Sequence, residues 1–348
     1  MFLQHQDILN QRLNFNSISW ATILLVLICF SCKDLKDQPQ EAHIEAETII
    51  ESIPTRLPGN IFAIDSMLVM IDPLSDEGFI RVFDVKNGIE VAKAGKLGQG
   101  PDEFISPGGA QIFEGQLVIF DPNLNRVGFF NIDSIARGKK SLIRIDKNEN
   151  YQGLITYLKI DNELAIGADY SKMPLKLMET ATGDIKEFGH YPIEDKINNA
   201  FDVFQGAVKF HADKALLAHG FYHTRHIILY EKNGQHFKVK WEKRFTDPEF
   251  AIRNGHLNWK DSQLKGFSGI AFTQDYIIAL INEDVKVSEG GRDIKYLPKT
   301  IYVLDYDGNI LKKYHLDIPV LRLATSLSSN TIYAVGMNPD FCLIKYDL

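Results

Sequence analysis

From about residue 58 onward the chain alternates short apolar runs of four to seven residues with Gly, Asn and Asp turns, and helical periodicity is nearly absent. That pattern predicts strands throughout. Two kinds of run recur. The first has a polar or small start followed by an apolar stretch, as in Ser66-Met67-Leu68-Val69-Met70-Ile71-Asp72 and Gly115-Gln116-Leu117-Val118-Ile119-Phe120-Asp121. Its leucine or isoleucine falls at 68, 117, 164, 216, 277 and 332, in steps of 49, 47, 52, 61 and 55. The second kind ends in an acid or amide with a turn behind it, as in Val82-Phe83-Asp84 before Asn87-Gly88 and Val303-Leu304-Asp305 before Asp307-Gly308. Four of these six runs have a glycine three or four residues after the acid, which suits a hairpin turn at positive φ.

A period near 50 with several strands per unit predicts an all-β, six-bladed β-propeller over residues 47–348. Each blade would bury its apolar faces only against its neighbours. The sixth unit stops after its acid-ended strand, so the segment from Ala46 to Ile53 is expected to supply the missing outermost strand and close the ring. The longer steps leave room for insertions at about 242–268 and 282–299, the second holding the polar loop Ser288 to Asp293.

The N-terminal part changes the picture. Residues 18–30 form an uncharged run of thirteen, with Arg12 upstream. A bilayer span takes roughly 20 apolar residues, so the run is read as the core of a secretory signal. It ends at Cys29-Phe30-Ser31-Cys32. A small residue directly before a cysteine at the end of an apolar run resembles the lipobox of bacterial lipoproteins. The resemblance implies a lipoprotein signal peptide over 1–31 and a lipid on Cys32. Residues 32–46, rich in Lys, Asp, Gln, Pro and Glu, are read as a flexible polar tether. Such a chain is held on a membrane and does not span it.

Composition adds exclusions. The net charge of −7, without a long basic run, argues against nucleic acid as a partner. Three cysteines cannot build a disulfide framework, and Cys342 sits in an apolar strand as a small core residue.

Residues 95–127 resemble an NHL repeat: a glycine-rich turn (Gly98, Gly100), an acid and Phe (Glu103, Phe104), Pro107 and Gly109, then a strand ending in Asp121 with Asn125-Arg126 behind it. Together with the lipobox, the chain resembles the TolB-like, NHL-like propeller lipoproteins of Gram-negative bacteria. The resemblance implies a cell-envelope location, as an outer-membrane lipoprotein facing the periplasm or the cell surface, and assigns no activity. Gly98 and Gly100 would permit backbone approaches that a Cβ blocks, and Arg126 can form a fork with a carboxylate. The stretch is read as an inter-blade corner held by a salt bridge, with Glu103 and Arg126 as candidate rim contacts for a ligand.

No G-x-S-x-G or H-E-x-x-H motif occurs, and no residue is assigned as catalytic. His211, His219, His223 and His226 cluster in sequence without a zinc-like spacing, and Arg225 beside two of them opposes a cation, so no metal ligand is assigned. Phe250, Arg253, His256 and Trp259 lie in the first insertion; aromatics with arginine on a loop have the composition of a binding hot spot, and equally of a loop that packs its own aromatics over the ring. The leading reading is a non-catalytic binding module, lipid-anchored outside the cytoplasm, for a protein or glycan partner; no cofactor is identified. The alternative is a propeller hydrolase or lyase with a metal ion in the central channel, for which Asp72, Asp121 and Glu283 are the available acids.

Overall fold

The computed structural model describes residues 39–289 and 293–348. The apolar run, Cys32 and the stretch to residue 38 lie outside the described residues, as do three residues of the Ser288 to Asp293 loop.

Six antiparallel sheets follow one another along the chain. Blade 1 is Ile61–Ile64, Met67–Ile71, Ile80–Asp84 and Ile89–Ala94. Blade 2 is Gly109–Phe113, Gln116–Asp121, Arg126–Asn131 and Leu142–Lys147; blade 3 is Thr156–Lys159, Leu164–Ala168, Leu175–Glu179 and Ile185–Phe188. Blade 4 is Gly206–His211, Leu216–Phe221, His226–Asn233 and His236–Arg244; blade 5 is Phe267–Phe272, Ile277–Ile281, Thr300–Leu304 and Ile310–Leu316. Blade 6 takes Val320–Thr325, Thr331–Met337 and Phe341–Asp347 from the end of the chain and Glu47–Ile50 from its beginning. The four turn glycines adopt the expected conformation, with φ of 63° at Gly88, 79° at Gly183, 59° at Gly234 and 85° at Gly308. The strand-ending acids cap two of these turns: the Asp84 carboxylate accepts from the amides of Lys86 and Asn87, and that of Asp305 from Asp307 and Asn309.

The closure is the one the repeat requires. Glu47 pairs with Lys345 and Thr48 with Ile344, and a 3.0 Å ion pair joins the first of these couples. Part of the segment 32–46 expected to be a flexible tether is instead a strand. Gln40–Ile44 is a fifth strand on blade 5, beside Ile310–Leu316. Its polar residues hid an alternation: Ala42 and Ile44 pack toward the core between blades 5 and 6, while Glu41 meets Lys313 at 3.1 Å and His315 at 3.1 Å.

The apolar residues gather in six clusters, and each draws on two consecutive blades. Leu68, Met70 and Phe83 of blade 1, for example, pack with Val335 and Leu343 of blade 6. Fully burying one such side chain is worth about 1.5–3 kcal/mol, so no blade keeps its core unless both neighbours are in place.

The first strand of every blade lies at the hub, where strands from different blades touch. The Gln111 amide donates to the Lys159 carbonyl at 3.1 Å, linking blades 2 and 3, and the Thr325 hydroxyl donates to the Phe272 carbonyl, linking blades 6 and 5. Strand alternation puts all connections into and out of blades, and those between second and third strands, on one face. These are the long ones, among them 72–79, 95–108, 189–205, 245–266 and 282–299. The opposite face carries tight turns such as 65–66 and 114–115, apart from the short helix Ile132–Ala136.

Candidate functional site

The insertion at 245–266 folds as a β-hairpin, Phe250–Arg253 with His256–Trp259, turning through Asn254 and Gly255 at φ of 52° and 76°. Alternation divides its side chains. Leu257 is buried in the cluster between blades 3 and 4, and Phe250 and Trp259 pack against that cluster. Trp259 meets the rings of Phe204, His223 and Phe250 edge-on. The Asn199 side chain clasps Leu257, accepting from its amide at 2.9 Å and donating to its carbonyl at 3.1 Å. Ile252, Arg253 and His256 face solvent. Of the four residues expected to bind, then, two anchor the hairpin and two are available on its outer side.

The glycine-rich corner is built differently from the expectation. Arg126 is 2% exposed, and in place of a carboxylate fork its guanidinium donates to the carbonyls of Gly100 and Pro101 at 3.1–3.2 Å. It lies 5.0 Å from the ring centroid of Phe104, which fills the space between blades 1 and 2. Glu103 accepts from the Gly100 amide at 2.9 Å, and a Cβ on Gly98 would stand 2.1 Å from the same carboxylate oxygen. That contact is the close approach the glycines permit. Both Arg126 and Glu103 serve the corner itself.

The acids considered for a channel metal are engaged elsewhere. Asp121 accepts from four backbone amides, those of Ile105, Ser106, Asn123 and Leu124. Asp72 meets Arg81 at 3.2 Å, and Arg81, 1% exposed, forms its carboxylate fork with Glu90 at 2.8 and 2.9 Å. Glu283 takes a hydrogen bond from the Tyr302 hydroxyl at 2.7 Å and pairs with Lys313 at 2.8 Å. Among the described residues, no three His, Cys, Asp or Glu side chains stand close enough to hold a metal. Two of the clustered histidines, His219 and His226, are buried against Phe221, with ring separations of 4.2 and 5.9 Å, and burial pushes their pKa values down to about 3 and about 4.

Two surface features were not read from the sequence. Ten of the seventeen exposed large apolar side chains among the described residues lie on the face with the long connections, including Leu74, Ile105, Ile155, Tyr170 and Ile252. Six more lie on the fourth strands of blades, and Leu327 alone lies on the opposite face. Tyr170 is 70% exposed. At the hub, the six innermost strands contain Lys159, Lys209 and Arg322 and not one Asp or Glu. Each cation stands alone in an apolar strand, such as Gly206-Ala207-Val208-Lys209-Phe210-His211, and only the ring geometry collects the three.

The sequence pattern described as TolB-like 6-blade propeller-like matches residues 36–324. Among solved structures, a DUF4221-family member from Bacteroides vulgatus is similar with a TM-score of 0.56 at 13% identity, over 88% of this chain and 96% of that one. A candidate exported protein from Bacteroides fragilis gives 0.58 at 11% identity, over 88% and 98%. The calcium-binding protein regucalcin from Agrobacterium tumefaciens gives 0.51 at 8% identity, over 89% and 95%. At these identities the likeness is one of fold. No curated protein sequence matches. With six sheets closed into a ring and a family match over most of its length, the chain belongs to the TolB-like six-bladed propellers.

Proposed function

We propose that this protein is a lipid-anchored, extracytoplasmic binding module without catalytic activity, which holds a protein or glycan partner against the face carrying its long connections. The observation behind this reading is the unequal spread of exposed apolar side chains, concentrated on that face and nearly missing from the other. Apolar groups left in water on one side of a rigid scaffold mark an interaction surface. The hairpin adds Arg253 and His256 at its exposed side, where charge and aromatic character supply specificity. The signal-like run and Cys32 support an envelope location, as an outer-membrane lipoprotein facing the periplasm or the surface, and the structurally similar Bacteroides fragilis protein is itself a candidate exported protein.

The test is capture from intact envelopes by the full chain and by a Tyr170→Ser, Ile252→Ser variant. Loss of the captured partner at an unchanged melting temperature supports the reading; equal capture by both forms overturns it. For the anchor, Cys32→Ala is expected to release the protein from membranes, and a variant that still sediments with them refutes lipidation.

The rival reading, a hydrolase or lyase with a channel metal, lacks a donor set among the described residues. Cations at the hub would also repel the ion.

A further inference from the structure

Overall the chain is acidic, with 45 Asp and Glu against 38 Lys and Arg. Its hub reverses that balance, since the innermost strands carry three cations and no carboxylate. Inside proteins, charged groups are normally paired. Among the described residues these three form no ion pair. The Lys209 ammonium faces the ring of Phe62 at 5.5 Å, and that of Lys159 faces Phe113 at 5.2 Å. The Arg322 guanidinium makes a single hydrogen bond, from Nη1 to the carbonyl of adjacent Leu321 at 3.1 Å, and leaves its remaining donors unused.

Their positions along the channel follow from strand direction. Every innermost strand enters from the face with the long connections. Arg322 is third of six in Val320–Thr325, in the half of the channel that opens on that face, and Lys209, fourth of six in Gly206–His211, lies just past the middle of its strand, with its ammonium over Phe62, the second residue of Ile61–Ile64. Tyr222 stands at the mouth, where its amide bonds the Gln205 carbonyl at 2.9 Å just before the strand containing Lys209. Its side chain is 39% exposed, and its phenol feels the Arg322 charge. Ser268, exposed on the innermost strand of blade 5, adds a hydroxyl at the same end. Lys159 ends its strand at the far side.

We propose that the mouth of the central channel is an oxyanion-binding site, taking a carboxylate or phosphate group between Arg322 and Tyr222, with Lys209 as the next cation inward. Guanidinium and ammonium groups with free donors, joined by a phenol and a hydroxyl that can each donate, form a donor-rich set suited to such a group. The absence of any acid on the innermost strands removes the internal competitor that would otherwise neutralise them. Burial pushes the pKa values of Lys209 and Arg322 down, as it does for cations that lack a counter-charge. An anion supplied from outside would relieve that cost. The site deepens the binding-module reading on which it rests by naming the chemistry of a ligand, and it places that chemistry at the centre of the apolar face.

The experiment is a calorimetric titration of the purified full chain at low ionic strength, with inorganic phosphate in one arm and succinate in the other. At least one anion is expected to bind and to raise the melting temperature. Arg322→Met and Lys209→Met should each weaken that binding at least tenfold. Both variants are expected to melt no lower than the parent without ligand, because each loses an unpaired, desolvated charge. Phosphate alone identifies a phosphate-bearing ligand, and succinate alone a carboxylate. Absence of binding in both arms overturns the proposal, and so does binding that survives both substitutions. Since the probes are small ions and the protein is pure, a negative result here leaves the capture experiment on the connection face standing.

Discussion

The Lys209 ammonium lies 5.5 Å from the centroid of the Phe62 ring, although the two residues belong to blades 4 and 1, on opposite sides of the ring. The two side chains therefore meet across the hub. A cation over an aromatic face is attracted by roughly 0.5–2 kcal/mol, which holds the charge near the axis.

Ring closure depends on the N-terminal strands. Without residues 39–51, Phe341–Asp347 becomes an unpaired edge, and the pairs Glu47 with Lys345 and Thr48 with Ile344 are lost. The shortened chain is expected to melt lower by about 10 °C or more and to self-associate, given about 2–4 °C per kcal/mol for chains of this size. Calorimetry and light scattering measure both effects. An unchanged melt would show that blade 6 stands without its fourth strand.

Gly128 sits where Phe104 inserts between blades 1 and 2, and a Cβ there would fall 2.4 Å from the ring. Gly128→Ala should destabilise by about 1–3 kcal/mol in urea unfolding through overpacking. Adding Phe104→Leu, which withdraws the ring, should recover part of the loss. If the pair of changes simply adds, the contact is not the cause.

Acid should weaken the fold through its buried histidines. Burial lowers His219 to about 3 and His226 to about 4, against about 6.5 in an unfolded chain. Above pH 6.5 both states are neutral and the full stability is present. Below it the unfolded chain gains protons that the folded chain refuses, so stability falls as pH drops toward 4. Each histidine accounts for up to about 2 kcal/mol between pH 6.5 and 5. His219→Leu should flatten the slope over that window in chemical denaturation, and an unaltered slope would assign the acid sensitivity to other groups.

The hairpin separates anchoring from display. Trp259→Ala removes a ring packed against Phe204 and His223 and should cost about 2–3 kcal/mol. Arg253→Ala and His256→Ala, both exposed, should each leave the melting temperature within a degree or two. Equal losses at all three positions would contradict the division of faces.

The ring was legible because each blade repeats the same local grammar. The apolar second strand, the acid that ends the third and the glycine behind it recur with positive φ at Gly88, Gly183, Gly234 and Gly308. The role of Glu47–Ile50 followed from counting strands. The strand Gln40–Ile44 was hidden because Glu41 and His43 mask the alternating Ala42 and Ile44. Whether Trp259 binds or packs could not be told from the sequence, because composition does not reveal which side of a hairpin faces the core. Arg126 found carbonyls within its own corner, while the fork expected for it formed between Arg81 and Glu90 in blade 1. The hub cations escaped notice because Lys159, Lys209 and Arg322 are distant in sequence and meet only through closure.

The double strap made by Gln40–Ile44 and Glu47–Ile50 bears on how the ring carries mechanical load. A pull transmitted through residue 39 reaches the strap on blade 5 first, and the strand sealing blade 6 lies behind it. Force along the chain from that end would have to detach the strand on blade 5 before it loads the pairs that shut the circle.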